Sequence, residues 1–239
     1  LKALDISETS IHIKFRRRQT GVTSQYEKLS QLQTKKIIEE FGLKFEVNLT
    51  DYLDTGHFLD HRNTRKLCRD LSKNKHVLNL FAYTGSFTCY AIDGGALSTT
   101  TVDLNKNYID WARRNLVLNG FDSNNSHHLI VDNCLSFIKL EAQKSRYDLI
   151  ICDPPTFSNS SQMKHAFSVD EDYIDLIRSC IKLLSKSGIL IFSTNSRSFK
   201  LDISLFSENL IFTNITPKTL PDDFRNQKIH KCWMIKRKV

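Results

Sequence analysis

No run of residues in this chain approaches the ~20 consecutive apolar positions needed to cross a bilayer, and residues 1–10 are too polar for a signal peptide. A soluble, cytoplasmic protein with no membrane partner is expected. An initiator Met is also missing, so the chain is expected to be a piece of something longer. No segment repeats at a fixed period. The six cysteines, at positions 68, 89, 134, 152, 180 and 232, include no Cys-x-x-Cys pair. Several lie in apolar stretches, as buried reduced thiols do, so neither a disulfide nor a zinc site nor any other metal is expected.

What the chain does have is enough apolar residue, 40% of 239, to bury one large core with a small appendage. Its net charge of +8 and pI near 9.2 favour an anionic partner, and a nucleic acid suits that charge.

Ile11, Ile13 and Phe15 alternate with polar residues and lead into Arg16, Arg17 and Arg18, while Phe45, Val47 and Leu49 alternate again. This predicts two strands of a small N-terminal β-hairpin element within residues 1–50, with a polar segment at 21–40 between them. Over residues 51–239 strand and helix patterns alternate, the signature of parallel βαβ units. A basic helix at 62–72 precedes candidate strands at 77–81, 98–103, 128–132, 147–152 and 189–193. Residues 211–216 and 230–236 add two more, giving a mostly parallel seven-stranded sheet in an α/β, Rossmann-like domain. Ile109, Ala112 and Leu116 share one helix face, as do Val169, Tyr173, Leu176, Ile177, Cys180 and Leu184. Gly188 reads as the stop after the second of these helices.

In an open parallel sheet, ligands gather outside the carboxyl ends of the strands. Three motifs fall there: Asn79-Leu80-Phe81-Ala82-Tyr83-Thr84-Gly85, then Val102-Asp103, then Asp153-Pro154-Pro155-Thr156-Phe157. A dinucleotide site would ask for Gly-x-Gly-x-x-Gly, because a pyrophosphate must rest on a helix N-terminus. Only Gly85 is present, which suits a donor without phosphate, S-adenosylmethionine, approached closely at Tyr83, Thr84, Gly85 and Ser86. Together the motifs read as a class I S-adenosylmethionine-dependent methyltransferase. Asp103, followed by Leu104, can accept both ribose hydroxyls. Asp132, followed by Asn133, can bond an adenine amino group, or else cap the helix that starts at Cys134. The run 53–62 packs a turn, an aromatic and charges just before the core.

Two consecutive prolines after a buried strand remove two donors and stiffen the backbone, fixing the Asp153 carboxylate and nearby carbonyls against a planar base. Phe157 is placed to stack on that base. Exocyclic-amine methyltransferases usually carry an aromatic directly after the two prolines, where this chain has Thr156. Carbon methylation of cytosine needs a cysteine nucleophile. Cys152 neighbours Asp153 on a strand whose side chains alternate, and Ser193-Thr194-Asn195-Ser196 holds no cysteine. Guanine N7 needs neither a nucleophile nor proton removal, so positioning and electrostatics suffice. Catalytic roles accordingly fall to Asp153, Pro154, Pro155 and Phe157.

Longer strings carry a resemblance. They are Val47-Asn48-Leu49-Thr50-Asp51-Tyr52-Leu53-Asp54-Thr55-Gly56, Phe58-Leu59-Asp60-His61-Arg62, the 79–85 motif, Thr100-Thr101-Val102-Asp103, and Asp153-Pro154-Pro155-Thr156-Phe157-Ser158-Asn159-Ser160. Tyr26-Glu27-Lys28-Leu29 and Gln227-Lys228-Ile229-His230-Lys231-Cys232-Trp233 extend them. Over nearly its whole length the chain resembles the C-terminal half of the bifunctional 23S ribosomal RNA guanine methyltransferases, the RlmKL type. The resemblance implies N7-methylguanosine formation and cofactor contacts from Phe58, Asp60, Tyr83, Gly85, Asp103, Asp132 and Asp153. It also implies a partner, a separate N-terminal half with an RNA-binding THUMP module that makes N2-methylguanosine. Related cytosine-C5 enzymes rely on a cysteine where this chain has Asn195.

Basic residues form three clusters: Arg16, Arg17 and Arg18; Arg62, Arg65, Lys66, Arg69, Lys73 and Lys75; and Lys228, Lys231, Lys236, Arg237 and Lys238. On a methyltransferase they suggest phosphate contacts to 23S ribosomal RNA or a large-subunit precursor, positioning it without reading sequence. Because the N7 edge of guanine faces the deep groove of A-form RNA, the target is expected to be locally opened or flipped.

Overall fold

The structure is a computed structural model that describes residues 7, 10–14, 34–121, 125–141, 147–158 and 166–238. The cluster Arg16–Arg18, the Tyr26–Leu29 string, and Asn159 and Ser160 lie outside the described residues.

Seven strands form one sheet in the order β10-β11-β9-β6-β3-β4-β5. In chain order these are β3 (His76–Leu80), β4 (Ser98–Asp103), β5 (His127–Val131), β6 (Tyr147–Cys152), β9 (Leu184–Thr194), β10 (Leu210–Asn214) and β11 (Lys231–Arg237). β11 pairs antiparallel with both β9 and β10, and the remaining pairings are parallel. The expected mostly parallel, seven-stranded α/β sheet is therefore present. Its central strands are apolar on both faces because helices cover both. Leu78, Leu80, Ile150, Cys152, Leu190 and Phe192 point into one core, while Val77, Leu149, Ile151 and Ile191 point into the other.

The helices are α1 (Arg62–Leu71), α2 (Ser86–Asp93), α3 (Lys106–Leu118), α4 (Cys134–Glu141), α5 (Val169–Leu183) and the short α6 (Thr216–Thr219). The expected stripes are buried: Ile109, Ala112 and Leu116 on α3, and Val169, Tyr173, Leu176, Ile177 and Cys180 on α5. Gly188 does not end a helix. It lies within β9, beyond the end of α5 at Leu183, where the pairing with β6 slips between Tyr147 and Leu149. A Cβ at Gly188 would stand 2.9 Å from the Tyr147 carbonyl oxygen, so the glycine serves this irregular strand pairing.

The N-terminal hairpin exists, but one of its strands was misplaced. It pairs β1 (Lys35–Glu40) with β2 (Leu43–Asn48), whereas residues 11–14 form no strand. Strand β1 hides from pattern reading because its side chains are mostly exposed, so pairing rather than apolar alternation defines it. From β2, Leu43 and Phe45 pack with Cys89, Tyr90 and Leu116, joining the hairpin to α2 and α3. A further two-stranded ribbon, β7 (Phe157–Ser158) with β8 (Phe167–Ser168), follows the double proline.

Successive strands β3, β4 and β5 step outward in one direction, while β6 and β9 lie on the other side of β3. The reversal falls between β3 and β6. Such a switch point opens a crevice at the carboxyl ends of the strands.

Candidate active site

A cleft of about 1020 Å³ opens at that crevice. On the β3–β5 side it is lined by Phe81, Tyr83, Ser86, Asp103, Leu104 and Asn133. On the β6–β9 side it is lined by Asp153, Pro154, Pro155, Thr156, Phe157, Asn195 and Arg197. Phe58, Asp60 and His61, from the segment before α1, close it further.

The turn after β3 is a tight one: Phe81 and Tyr83 both have left-handed backbones, with φ of 55° and 50°. This is costly for aromatic residues and persists because neighbours fix it. The Tyr83 amide donates to Asp103 Oδ2 at 2.8 Å, the Ala82 amide to the Val102 carbonyl at 3.1 Å, and the Phe81 amide to Cys134 Sγ at 3.2 Å. Tyr83 and Phe58 then face each other, ring centroids 5.2 Å apart. Phe58 is 39% exposed, so a flat ligand can reach this aromatic pair. Asp103 also accepts from the Asn105 amide at 2.9 Å. Burial outweighs these two backbone donors and pushes its carboxyl up to about 6. A buried acid at this strand end, with lone pairs left over, suits a ribose diol.

Three expected cofactor residues have other work. Thr84 is 1% exposed and donates to the Gly56 carbonyl at 2.6 Å, pinning the preceding loop. Gly85 is left-handed, with φ of 72°, and a Cβ there would meet Ala112 Cβ at 2.6 Å. The close approach that demands a glycine is thus to helix α3 rather than to a ligand. Asp132 does not line the cleft, and its Oδ1 accepts from the amide of Asn133. Asn133 lines the cleft and caps α4, accepting from the amides of Leu135 at 2.9 Å and Ser136 at 3.2 Å.

On the other side, Asp153 is hydrogen-bonded at one oxygen and faces an imidazole with the other. Ser193 Oγ donates to Oδ1 at 2.6 Å, and His61 Nε2 stands 3.5 Å from Oδ2. His61 Nε2 is also 3.7 Å from Asp60, while its Nδ1 lies 3.3 Å from Thr64 Oγ1. Burial lowers the imidazole's pKa against the pull of Asp153 and Asp60, so His61 is neutral at physiological pH. Its ring stacks on His230 with centroids 4.4 Å apart. His230 bonds Asp60 at 3.0 Å and Thr219 at 3.0 Å. Burial pushes the Asp60 carboxyl up, but the hydrogen bond from His230 and the pull of the two nearby imidazoles together outweigh it and hold the carboxyl below the usual carboxylate range. Asp60, His61 and His230 bring three donor atoms within 4.8 Å, the spacing of a cation site, yet each is already engaged in this relay. Phe157 is 51% exposed at the cleft wall, free to meet a planar ring.

The basic surface changes most between sequence and structure. Arg65 is 1% exposed: it binds Glu40 through two nitrogens at 2.8 Å each, donates to the Phe58 carbonyl at 2.9 Å and lies 2.9 Å from His57 Nε2. Its guanidinium, at the inner wall of the cleft, is thus taken up by protein partners rather than presented to solvent as charge counting expected. Helical periodicity places it on the inner face of α1, a face apolar patterning missed because a charged residue fills it. Burial pushes the Glu40 carboxyl up, but the His57 hydrogen bond and the Arg65 charge hold it at about 2. Arg62 pairs with Asp223, Arg69 with Asp93, and Lys66 lies 5.5 Å from the centre of the Phe41 ring. Lys231 donates to the carbonyls of Arg197 and Phe199, so its ammonium holds a loop. Lys228 is exposed and lines no part of the cleft.

Sequence reading missed His61, Asn195 and Arg197 as cleft residues, and His230 as the buried support behind His61. His61 and His230 were visible only inside longer motif strings, because what brings them together is the sheet.

A model of the S-adenosylmethionine-dependent methyltransferase family matches residues 6–210. The ribosomal RNA large subunit methyltransferase K/L of Vibrio cholerae is 47% identical over 237 residues, covering 98% of this chain and 33% of that protein. The ribosomal RNA large subunit methyltransferase K of Neisseria meningitidis is 48% identical over 229 residues, covering 95% of this chain and 64% of that protein. The resemblance carried by the motif strings is thereby borne out, and the chain spans about a third of the K/L relative's length. Among solved structures, a methyltransferase complexed with SAH superposes with a TM-score of 0.73 at 30% identity, covering 87% of this chain and 57% of that one. A Streptococcus mutans protein described as a SAM-dependent methyltransferase gives 0.72 at 31%, covering 87% and 56%. With the family model matching most of its length and the aromatic pair and strand-end acid in place, this chain belongs to the S-adenosylmethionine-dependent methyltransferases, and S-adenosylmethionine is its cofactor.

Proposed function

We propose that this chain transfers a methyl group from S-adenosylmethionine to N7 of a guanine in 23S ribosomal RNA. The observation that carries this reading is the chemistry of the β6–β9 side of the cleft. It offers a carboxylate hydrogen-bonded by Ser193 and flanked by His61, an exposed aromatic and a rigid double proline, but no accessible thiol among the described residues. Cys134 is the one cysteine in the lining among the described residues. It is 3% exposed, and burial pushes its thiol well up. Cys152 points into the core, and Asn195 occupies the strand end where a cysteine nucleophile would stand. The names of the Vibrio and Neisseria relatives support a large-subunit ribosomal RNA as substrate.

The bound cofactor supplies an electrophilic methyl group on a sulfonium. Phe58 and Tyr83 clamp a flat ring, and Asp103 accepts from a diol. Across the cleft Phe157 stacks on the target base, while Pro154 and Pro155 keep the backbone from following it. N7 already presents a lone pair, so no residue needs to remove a proton. The methylated base becomes cationic, and the Asp153 carboxylate stabilises that growing charge from a position set beforehand by Ser193 and His61. The setting is the bacterial cytoplasm. The partner is a second methyltransferase half carrying an RNA-binding module, as in a K/L-type protein.

Nucleoside mass spectrometry tests the reading, using 23S ribosomal RNA that lacks the modification and isotopically labelled S-adenosylmethionine. Label in N7-methylguanosine is the expected result. Label in N2-methylguanosine or 5-methylcytidine would overturn the target atom, and cofactor binding without labelled RNA would favour a silent RNA-binding or ribosome-assembly module.

A further inference from the structure

We infer that Arg197 is a phosphate-binding residue for the target nucleotide, set beside the base pocket by the loop that follows β9. The inference rests on the RNA reading above but not on which atom is methylated.

The loop is built to present this side chain. Ser196 Oγ donates to Asp170 at 2.9 Å and Ser198 Oγ to the same carboxylate at 2.8 Å, tying the loop to the start of α5. Lys231 Nζ, from β11, donates to the carbonyls of Arg197 at 2.9 Å and Phe199 at 2.6 Å. Phe199 is 2% exposed and packs against Phe192 and Trp233. With Ser196 and Phe199 turned inward, Asn195 and Arg197 are exposed and line the cleft.

Arg197 differs from the arginines that charge counting put on the RNA face. Arg62, Arg65 and Arg69 each have a carboxylate partner, whereas among the described residues none pairs with Arg197. An exposed guanidinium on a fixed backbone, unpaired and facing a cleft, suits a phosphate, which it can hold through two parallel hydrogen bonds. The acceptor side of the cleft supplies the rest of a nucleotide site. Thr156 Oγ1 donates to Asn195 Oδ1 at 2.6 Å, joining the loop after β6 to the loop after β9. Phe157 stands one residue beyond that bridge on one strand end, and Arg197 two residues beyond it on the other. Phe157 and Arg197 line the same side of one cleft, and under this assignment the base stacks on the first while its own phosphate rests on the second. Such contacts position RNA without reading its sequence.

The cofactor also carries a carboxylate that an arginine could hold, so the test measures both ligands. RNA binding to the full chain is followed by fluorescence anisotropy across a salt series, and S-adenosylmethionine binding by calorimetry, for the native chain, Arg197→Ala and Arg197→Lys. Lys139→Ala, which removes an exposed charge on α4 outside the cleft, controls for net charge. Arg197→Ala should weaken RNA binding about tenfold or more and flatten the log–log salt slope by roughly 0.7 to 1, with cofactor affinity unchanged. Arg197→Lys should restore the slope but only part of the affinity. An equal effect from Lys139→Ala, or lost cofactor affinity in Arg197→Ala, would overturn the assignment. A native chain that binds RNA and labels a different atom would sink the N7 reading alone. One with no salt-sensitive RNA binding would sink both.

Discussion

Two carboxylates, at strand ends on either side of β3, answer to opposite demands. Asp103 is buried and its pKa is raised to about 6 from an ordinary value of 3.8. Between those values the folded chain holds a proton that the unfolded chain has lost, so this residue favours the ligand-free fold at acid pH, and that contribution disappears as pH rises through 6. Accepting two hydroxyls, one at each oxygen, favours the anion, because protonation turns one oxygen into a donor. Cofactor affinity measured by calorimetry should therefore be flat above pH 6 and fall about tenfold per unit below it. Asp103→Asn should remove that dependence, bind more weakly at pH 8 and unfold at a higher temperature without ligand. Asp153 instead carries the role proposed for it in the reaction: Asp153→Ala should cut turnover by ~10²-fold or more while cofactor affinity changes less, and near-normal turnover would refute that role. His61→Leu should slow turnover about tenfold without changing RNA affinity, with His61→Gln restoring much of it because the amide nitrogen can replace Nε2. Asp153 was legible because it follows an apolar strand, and Asp103 because it closes the strand that comes after the Gly85 motif. His61 was not, since its partners Asp153 and His230 lie far along the chain.

At the level of elements, the hairpin is locked to the body by a buried cluster. Glu40 on β1 binds Arg65 on α1, meets His57 at 3.1 Å and accepts from Tyr90 on α2 at 2.9 Å. Arg65 in turn holds the Phe58 carbonyl, so the hairpin reaches the aromatic that faces Tyr83. Removing one partner leaves an uncompensated buried charge. Glu40→Ala should cost about 3–5 kcal/mol in urea unfolding, and replacing both partners with apolar residues of matching shape should cost much less. Six strands of the sheet were readable to within one or two residues, β4 and β6 at both ends. Strand β9 begins at Leu184 rather than at residue 189, because its first residues are mostly polar and join the sheet through the irregular pairing at Gly188. The hairpin's first strand was not readable, since Ile37 and Ile38 are adjacent and most of the strand faces solvent.

For the molecule as a whole, net charge proved a poor map of the binding face. The excess of +8 is real, but the arginines of α1 are spent on carboxylates and Lys231 on backbone carbonyls. Spacing along a helix reports which residues share a face, not whether a distant acid already occupies it. The division of the cleft is the more useful global feature. S-adenosylmethionine at a hundred times its Kd should add about 2.7 kcal/mol of stability, raising the melting temperature by roughly 5–10 °C. Arg197→Ala should show the same rise in scanning fluorimetry, because its residue lies across the switch point from the donor. That separation also has an evolutionary meaning. The residues proposed to grip the methyl donor and those proposed to choose its recipient hang from different strands, the first from β3 and β4, the second from β6 and β9, whose loops the Thr156–Asn195 bridge ties to each other. The recipient side can therefore drift, acquiring a cysteine at Asn195 or an aromatic at Thr156, while the donor cradle is inherited intact, so one scaffold can supply a lineage of enzymes with different targets.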